Sequence, residues 1–217
     1  MEKMTNGGQD VPTQVKNREL VTKRRRQIVD ASVSLFIKNG FHKTTTRQIA
    51  RAAGFSIGNL YEYVATKEDI LYLVCDAIHA EMEANVDAVL SGSAMGLDAL
   101  RDAVRGYFTA CDKMSDPIVL IYQVTQFLPK KWMRRVLENE IRVTDIFRKL
   151  LKEIVDREAI SGVDDRRIDL AAHNIAVLGH AWAFRRWFYE KNYSLDEYID
   201  FQTQNILGAF TGAERQG

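Results

Sequence analysis

Residues 44–71 read TTTRQIARAAGFSIGNLYEYVATKEDIL. Thr45 with Gln48 three positions on is the signature of a capping box, in which each side chain satisfies the other residue's orphan backbone N–H. The pattern predicts a short helix with Ile49, Ala50 and Ala53 facing inward. Gly54 permits a sharp turn, because glycine enters the left-handed backbone region without a steric penalty. Phe55 can plug the gap between two helices, and Ser56 is a good N-cap for a second short helix to about Tyr63. Two short helices joined by a tight, Gly-containing turn make a helix-turn-helix. Thr66 with Asp69 repeats the capping signature and opens a further helix to about Leu90.

A helix is expected to start between Arg18 and Thr22. Ile28, Ala31, Leu35 and Phe36 share one of its faces, and Asn39-Gly40 ends it. Downstream the pattern stays helical, from about Leu97 to Met114. Ser115-Asp116-Pro117 then starts a helix that ends near Leu128-Pro129, proline suiting a first turn. A long helix follows over about Lys131 to Glu158. Another, capped by Asp164 or Asp165, is expected to reach Lys191, and Ser194 with Glu197 opens the last, to about Phe210. The expected fold class is therefore all-α, with about nine helices. The expected division is a disordered N-terminal arm over 1–17, a helix-turn-helix domain over 18–70 and a second helical domain over 71–217.

Apolar residues make up 46% of the 217, enough for a core, and the three prolines favour helices over a loop-rich β fold. No apolar run reaches membrane-spanning length, so no membrane partner is expected. The opening MEKMTNGGQDVPTQ is polar and lacks the apolar stretch of a signal peptide. Cys75 and Cys111 fall in helical patterns and read as reduced structural thiols of a cytoplasmic protein. The net charge of +1 conceals an asymmetry, with 12 Lys/Arg against 7 Asp/Glu in residues 1–70 and 18 against 22 in the rest. A basic N-terminal third points to a polyanionic partner for that third alone.

The 44–71 segment resembles the signature of the tetracycline-repressor (TetR) family. The matching residues are Thr44-Thr45, Ile49-Ala50, Ala53-Gly54, Phe55-Ser56, Gly58, Leu60-Tyr61, Tyr63 and Lys67. Phe55 and Val64 depart from the family pattern, as core substitutions. The resemblance implies a homodimer, paired through its two C-terminal helices, that binds double-stranded operator DNA and responds to a small-molecule effector. It also implies backbone contacts from Thr44, Thr46, Tyr61, Tyr63 and Lys67. The physics of the motif agrees. The second helix of a helix-turn-helix enters the major groove N-terminus first, and that end here carries Ser56, Ile57, Gly58 and Asn59. Asn59 can pair with an adenine edge, Gly58 allows close approach, and Arg47 flanks the site. Arg24 and Arg25, in the run Lys23-Arg24-Arg25-Arg26, are candidates for a phosphate or the minor groove.

The C-terminal part carries no catalytic constellation. There is no nucleophile elbow, phosphate-cradling glycine loop or dinucleotide fingerprint. His42, His79, His173 and His180 lack metal-ligand spacing, so neither a metal nor a resident cofactor is expected. Aromatic residues are dense, and polar ones are interleaved with them, the composition of a ligand pocket. Tyr107, Tyr122, Gln126, Lys130, Trp132, Arg134, His173, Asn174, His180, Trp182 and Arg185 are the effector candidates. Lys130-Lys131-Trp132-Met133-Arg134-Arg135 can hold phosphates and stack an adenine. That is compatible with a coenzyme A thioester, and the chain resembles the acyl-CoA-sensing branch of the family. A solvated basic face, or a neutral lipophilic effector, fits the same residues. The rival functions are a transcription activator and a helical enzyme or binding protein that uses the motif only for packing.

Overall fold

The computed structural model describes residues 11–90, 96–158, 160 and 162–211. Among them are ten α-helices and no strand. In chain order these are α1 (Arg18–Asn39), α2 (Thr46–Ala52), α3 (Ile57–Tyr63), α4 (Lys67–Leu90) and α5 (Gly96–Lys113). Then come α6 (Ser115–Val124), a 3-10 turn (Thr125–Phe127), α7 (Lys130–Arg157), α8 (Asp165–Phe184), α9 (Arg186–Asn192) and α10 (Leu195–Thr211).

The capping signatures set the helix starts. The Thr45 N–H donates to Gln48 Oε1 at 2.8 Å, and the Gln48 N–H donates back to Thr45 Oγ1 at 3.2 Å. Ser56 Oγ accepts from the Asn59 N–H at 3.1 Å and starts α3. Thr66 and Asp69 exchange bonds of 2.9 and 3.0 Å ahead of α4, and Ser194 and Glu197 do so ahead of α10 at 2.7 and 3.2 Å. Gly54, with φ +77°, makes the turn between α2 and α3.

Two expectations about the elements are corrected. The helix expected from 165 to 191 is two, broken at Arg185, whose φ of −108° and ψ of 17° leave the helical region. No glycine or proline marks the break. The bend lays Tyr189 parallel to Trp182, with centroids 5.6 Å apart, and against Tyr198 at 4.9 Å. The count of about nine helices thus becomes ten. The expected disordered arm over 1–17 is also corrected where it can be seen. Val11 is buried, and the Gln14 N–H donates to the Glu62 carbonyl at 2.9 Å. Residues 1–10 lie outside the described residues.

The chain divides into two compact units. The first holds the residues up to Ala80 together with Val119–Asn139, and the second holds Glu81–Ile118 together with Glu140 onward. The grouping therefore does not follow the expected boundary at 70. The reason lies in α7: the Trp132 indole stacks on Tyr72 at 4.1 Å and donates to Asp69 Oδ1 at 2.9 Å, and Asn139 Nδ2 donates to Asp76 at 2.8 Å. The second unit is built on α5, α8 and α10, around Tyr107, Phe108, Phe147, Ile175 and Trp182. Arg105 ties α5 to α10 through Asp196 at 2.5 Å and Asp200 at 2.7 Å.

Candidate nucleic-acid interface

The α3 helix has two faces of opposite character. Leu60 and Tyr63 are buried against the rest of the first unit. Ser56, Ile57, Gly58 and Tyr61 are exposed, Tyr61 to 41%. A Cβ added at Gly58 would meet nothing closer than Ser56 Oγ at 4.0 Å, so internal packing does not require glycine there. Asn59 is half-buried, and its side-chain amide donates to Glu62 Oε2 at 3.0 Å. The hydroxyls of Thr46 on α2 and Tyr61 on α3 lie 3.2 Å apart at the surface, where either can donate. Arg47 is exposed beside them. The edge therefore offers hydroxyl donors and a cation suited to phosphate, next to a helix N-terminus with room for a base edge.

Lys67, at the first position of α4, is half-buried. Its ammonium donates to the Phe41 carbonyl at 2.5 Å and sits 4.1 Å from the Phe41 ring. Burial pushes its pKa down, and Glu68 opposes the shift. An ammonium has three donors, so this anchoring leaves capacity for a phosphate. Arg24 is half-buried, with its guanidinium 5.3 Å from the Phe55 ring and a bond to Gln27 at 3.1 Å.

Three of the expected contact residues point inward instead. Thr44 is 1% exposed, and its hydroxyl is committed to the Gly40 and Leu35 carbonyls at 2.9 and 3.2 Å. Tyr63 is 4% exposed and packs on Phe55. Arg25 is 2% exposed, and its guanidinium binds backbone carbonyls of the chain itself. These three hold the unit together and do not offer themselves to a phosphate. The spacing carried that signal. Successive residues on a helix are rotated by about 100°, so Tyr61 and Tyr63 cannot share a face. Arg25 stands four after Val21 and three before Ile28, both buried. A contact no local pattern announced joins the α1–α2 loop to the 3-10 turn, where Phe127 lies 4.2 Å from His42 and 6.0 Å from Phe41.

Among the effector candidates in the first unit, Tyr122, Gln126, Lys130 and Arg134 are exposed. Trp132 is 5% exposed and already sandwiched on Tyr72, which corrects the expectation that it stacks an adenine. Lys131 lies over its ring at 4.2 Å. In the second unit, Tyr107 and Trp182 are buried core residues. The Tyr107 hydroxyl is 2.9 Å from His180 Nε2, and the Trp182 indole N–H donates to Asp112 at 2.7 Å. Neither ring is displayed for a ligand from the surface. His173, Asn174 and Arg185 are exposed, and Arg185 lies over Trp187. Among the described residues there is no cluster of three or more His, Cys, Asp or Glu able to hold a metal ion. No described helix is long and apolar enough to cross a membrane.

Residues 28–72 match the family model described as bacterial regulatory proteins, tetR family. The chain is 30% identical over 197 residues to the HTH-type transcriptional regulator HbdR of Aromatoleum sp. (strain CIB), covering 90% of this chain and 84% of that protein. A tetR-family regulatory protein from Rhodococcus RHA1 has the same fold, with a TM-score of 0.73 at 22% identity over 87% of this chain and 97% of that one. AibR, solved in complex with isovaleryl coenzyme A and operator DNA, shares the fold with a TM-score of 0.68 at 16% identity, over 84% of this chain and 97% of that one. With an inward face that keys α3 into its unit, an outward face left open, and a relative matched along nearly the whole chain, this protein belongs to the TetR family of bacterial transcriptional regulators.

Proposed function

We propose that the chain is a one-component repressor that holds operator DNA as a homodimer and releases it when a coenzyme A thioester binds. The observation that carries the DNA part is the outward face of α3, Ser56 to Asn59, flanked by the Thr46–Tyr61 hydroxyl pair. Phosphate contacts from Thr46, Arg47, Tyr61 and Lys67 position the helix, and Ile57, Gly58 and Asn59 face the base edges. Dimerisation supplies the second reading head that a two-fold operator needs. It is supported by an apolar stripe on α8, where Leu170, Val177 and Phe184 recur every seven residues and are 66%, 57% and 38% exposed. Phe201 on α10 is 61% exposed.

The effector is proposed as an acyl- or aryl-CoA, the class to which the ligand of AibR belongs. Lys130 and Lys131 at the start of α7 are exposed and form no ion pair among the described residues, so they can meet phosphates. Release requires only that the thioester prefer one conformation over another. The α4 helix, which begins beside the reading head and ends in the second unit, is the proposed lever that changes the spacing of the two α3 helices.

A duplex selected by the protein from a random pool tests both parts. Tyr61→Ala with Lys67→Ala is expected to weaken binding evenly across sequences, and to lower the slope of log K against log salt by about one per lost phosphate contact. An unchanged gel shift would refute the assignment. Addition of benzoyl-CoA or a long-chain acyl-CoA is expected to release the duplex. Calorimetric titrations with no heat from either would retire the thioester.

A further inference from the structure

Resting on the reading that α3 enters DNA, we propose that residues 11–14 and Arg25 form a strap that fixes the C-terminal end of α3 and thereby sets its sequence discrimination. The α3 helix has seven residues, too few to be stable alone. Its last turn contains no basic residue, and the chain leaves it in an extended conformation at Val64 with no glycine cap. The terminal carbonyls of such a helix need outside donors. Here the Glu62 carbonyl accepts from the Gln14 N–H at 2.9 Å and from the Thr13 hydroxyl at 2.9 Å. The Tyr63 carbonyl accepts from Arg25 Nε at 3.0 Å and Nη2 at 2.8 Å.

The same Arg25 Nη2 donates to the Val11 and Pro12 carbonyls at 2.7 and 3.2 Å. One guanidinium on α1 thus pins two segments remote from it in sequence, and Val11 anchors the strap by burial. A cation is also electrostatically favoured at a helix C-terminus. Every one of these bonds goes to the backbone of α3 or of the strap, so side chains on the outward face are untouched. Base readout tolerates misplacement of only about half an ångström, whereas phosphate attraction is far less demanding. Arg25, Thr13 and Gln14 are therefore positioning residues.

The test uses the full chain, a duplex selected from a random pool and a scrambled duplex of equal length. Thr13→Val with Gln14→Pro removes both donors to Glu62 and leaves Arg25 in place. The expected result is a fall of about tenfold in the ratio of selected to scrambled affinity, one hydrogen-bond network's worth. Affinity for the scrambled duplex and its salt slope should be unchanged. Arg25→Gln should lower the ratio further, and Arg25→Lys should recover part of the loss. A ratio unchanged in the Thr13/Gln14 variant would overturn the proposal, as would a reduced salt slope, which would make the strap a phosphate contact. Asn59→Ala separates the two readings. If it lowers the ratio and the strap variant does not, only the strap falls. If wild type itself prefers neither duplex, the DNA reading fails and the strap with it.

Discussion

The core of the second unit and helix α3 of the first use their aromatic and polar residues in opposite ways. In the second, rings are consumed by one another: Tyr107 meets Phe147 edge-on at 5.1 Å, and Trp182 stacks on Tyr189 at 5.6 Å. In the first, α3 divides its residues. Leu60 and Tyr63 are buried in the core, while Ile57, Gly58 and Tyr61 lie exposed, Tyr61 meeting the Thr46 hydroxyl at the surface. Residues unexplained from within are what a binding surface leaves behind. That is why individual side chains of α3 are the proposed DNA contacts, whereas the proposed effector is a class of ligand.

The contrast is most exposed to failure where stability and binding are measured together. Phe147→Ala empties a fully buried site, and its expected cost is about 3–5 kcal/mol in urea denaturation. Tyr61→Ala removes a comparable ring from the outward face, with an expected stability change of no more than about 0.5 kcal/mol, yet it should weaken operator binding. A Tyr61 variant that unfolds as readily as the Phe147 variant would mean that the outward face belongs to the core after all.

Gly58→Ala sharpens the same division within one helix turn. Glycine in a helix is less favourable than alanine by about 1 kcal/mol, and the added methyl meets nothing closer than Ser56 Oγ at 4.0 Å. Thermal denaturation should therefore show equal or slightly raised stability. Operator affinity should fall about tenfold, since the methyl would occupy the path of the approaching backbone. If affinity is unchanged, Gly58 does not face the duplex closely.

Much of this was legible in residue order because capping chemistry is local. Thr45 with Gln48, Ser56, Thr66 with Asp69 and Ser194 with Glu197 all cap the helices their spacing announced. What stayed hidden depended on partners distant in sequence. The break at Arg185 serves a stack involving Tyr198. Trp132 looked like a ligand platform until Tyr72 and Asp69 claimed it. The strap at residues 11–14 has no periodicity at all, and its meaning lies in the Glu62 carbonyl, nearly fifty positions away. Inward tyrosine and arginine positions were recoverable from helical rotation, but a motif match groups residues by identity and not by face.

The smallest expected effect compares the units through their thiols. Cys75 lies in the first and Cys111 in the second, both buried, and burial pushes each pKa up from 9.0 to about 12. The unfolded chain releases those protons near pH 9 while the native chain keeps them, so stability should decline as pH rises from 9 toward 12. At pH 8 the native thiolate population is negligible, and labelling by a disulfide reagent should wait on opening of the surrounding structure. Both thiols should react fully in denaturant and slowly without it. Peptide mapping of the slow phase then reads the units separately. Fast modification of Cys75 alone would show that the reading head opens independently, against the anchoring of α7 on Asp69 and Asp76, whereas equal protection fits a head held by those buried hydrogen bonds.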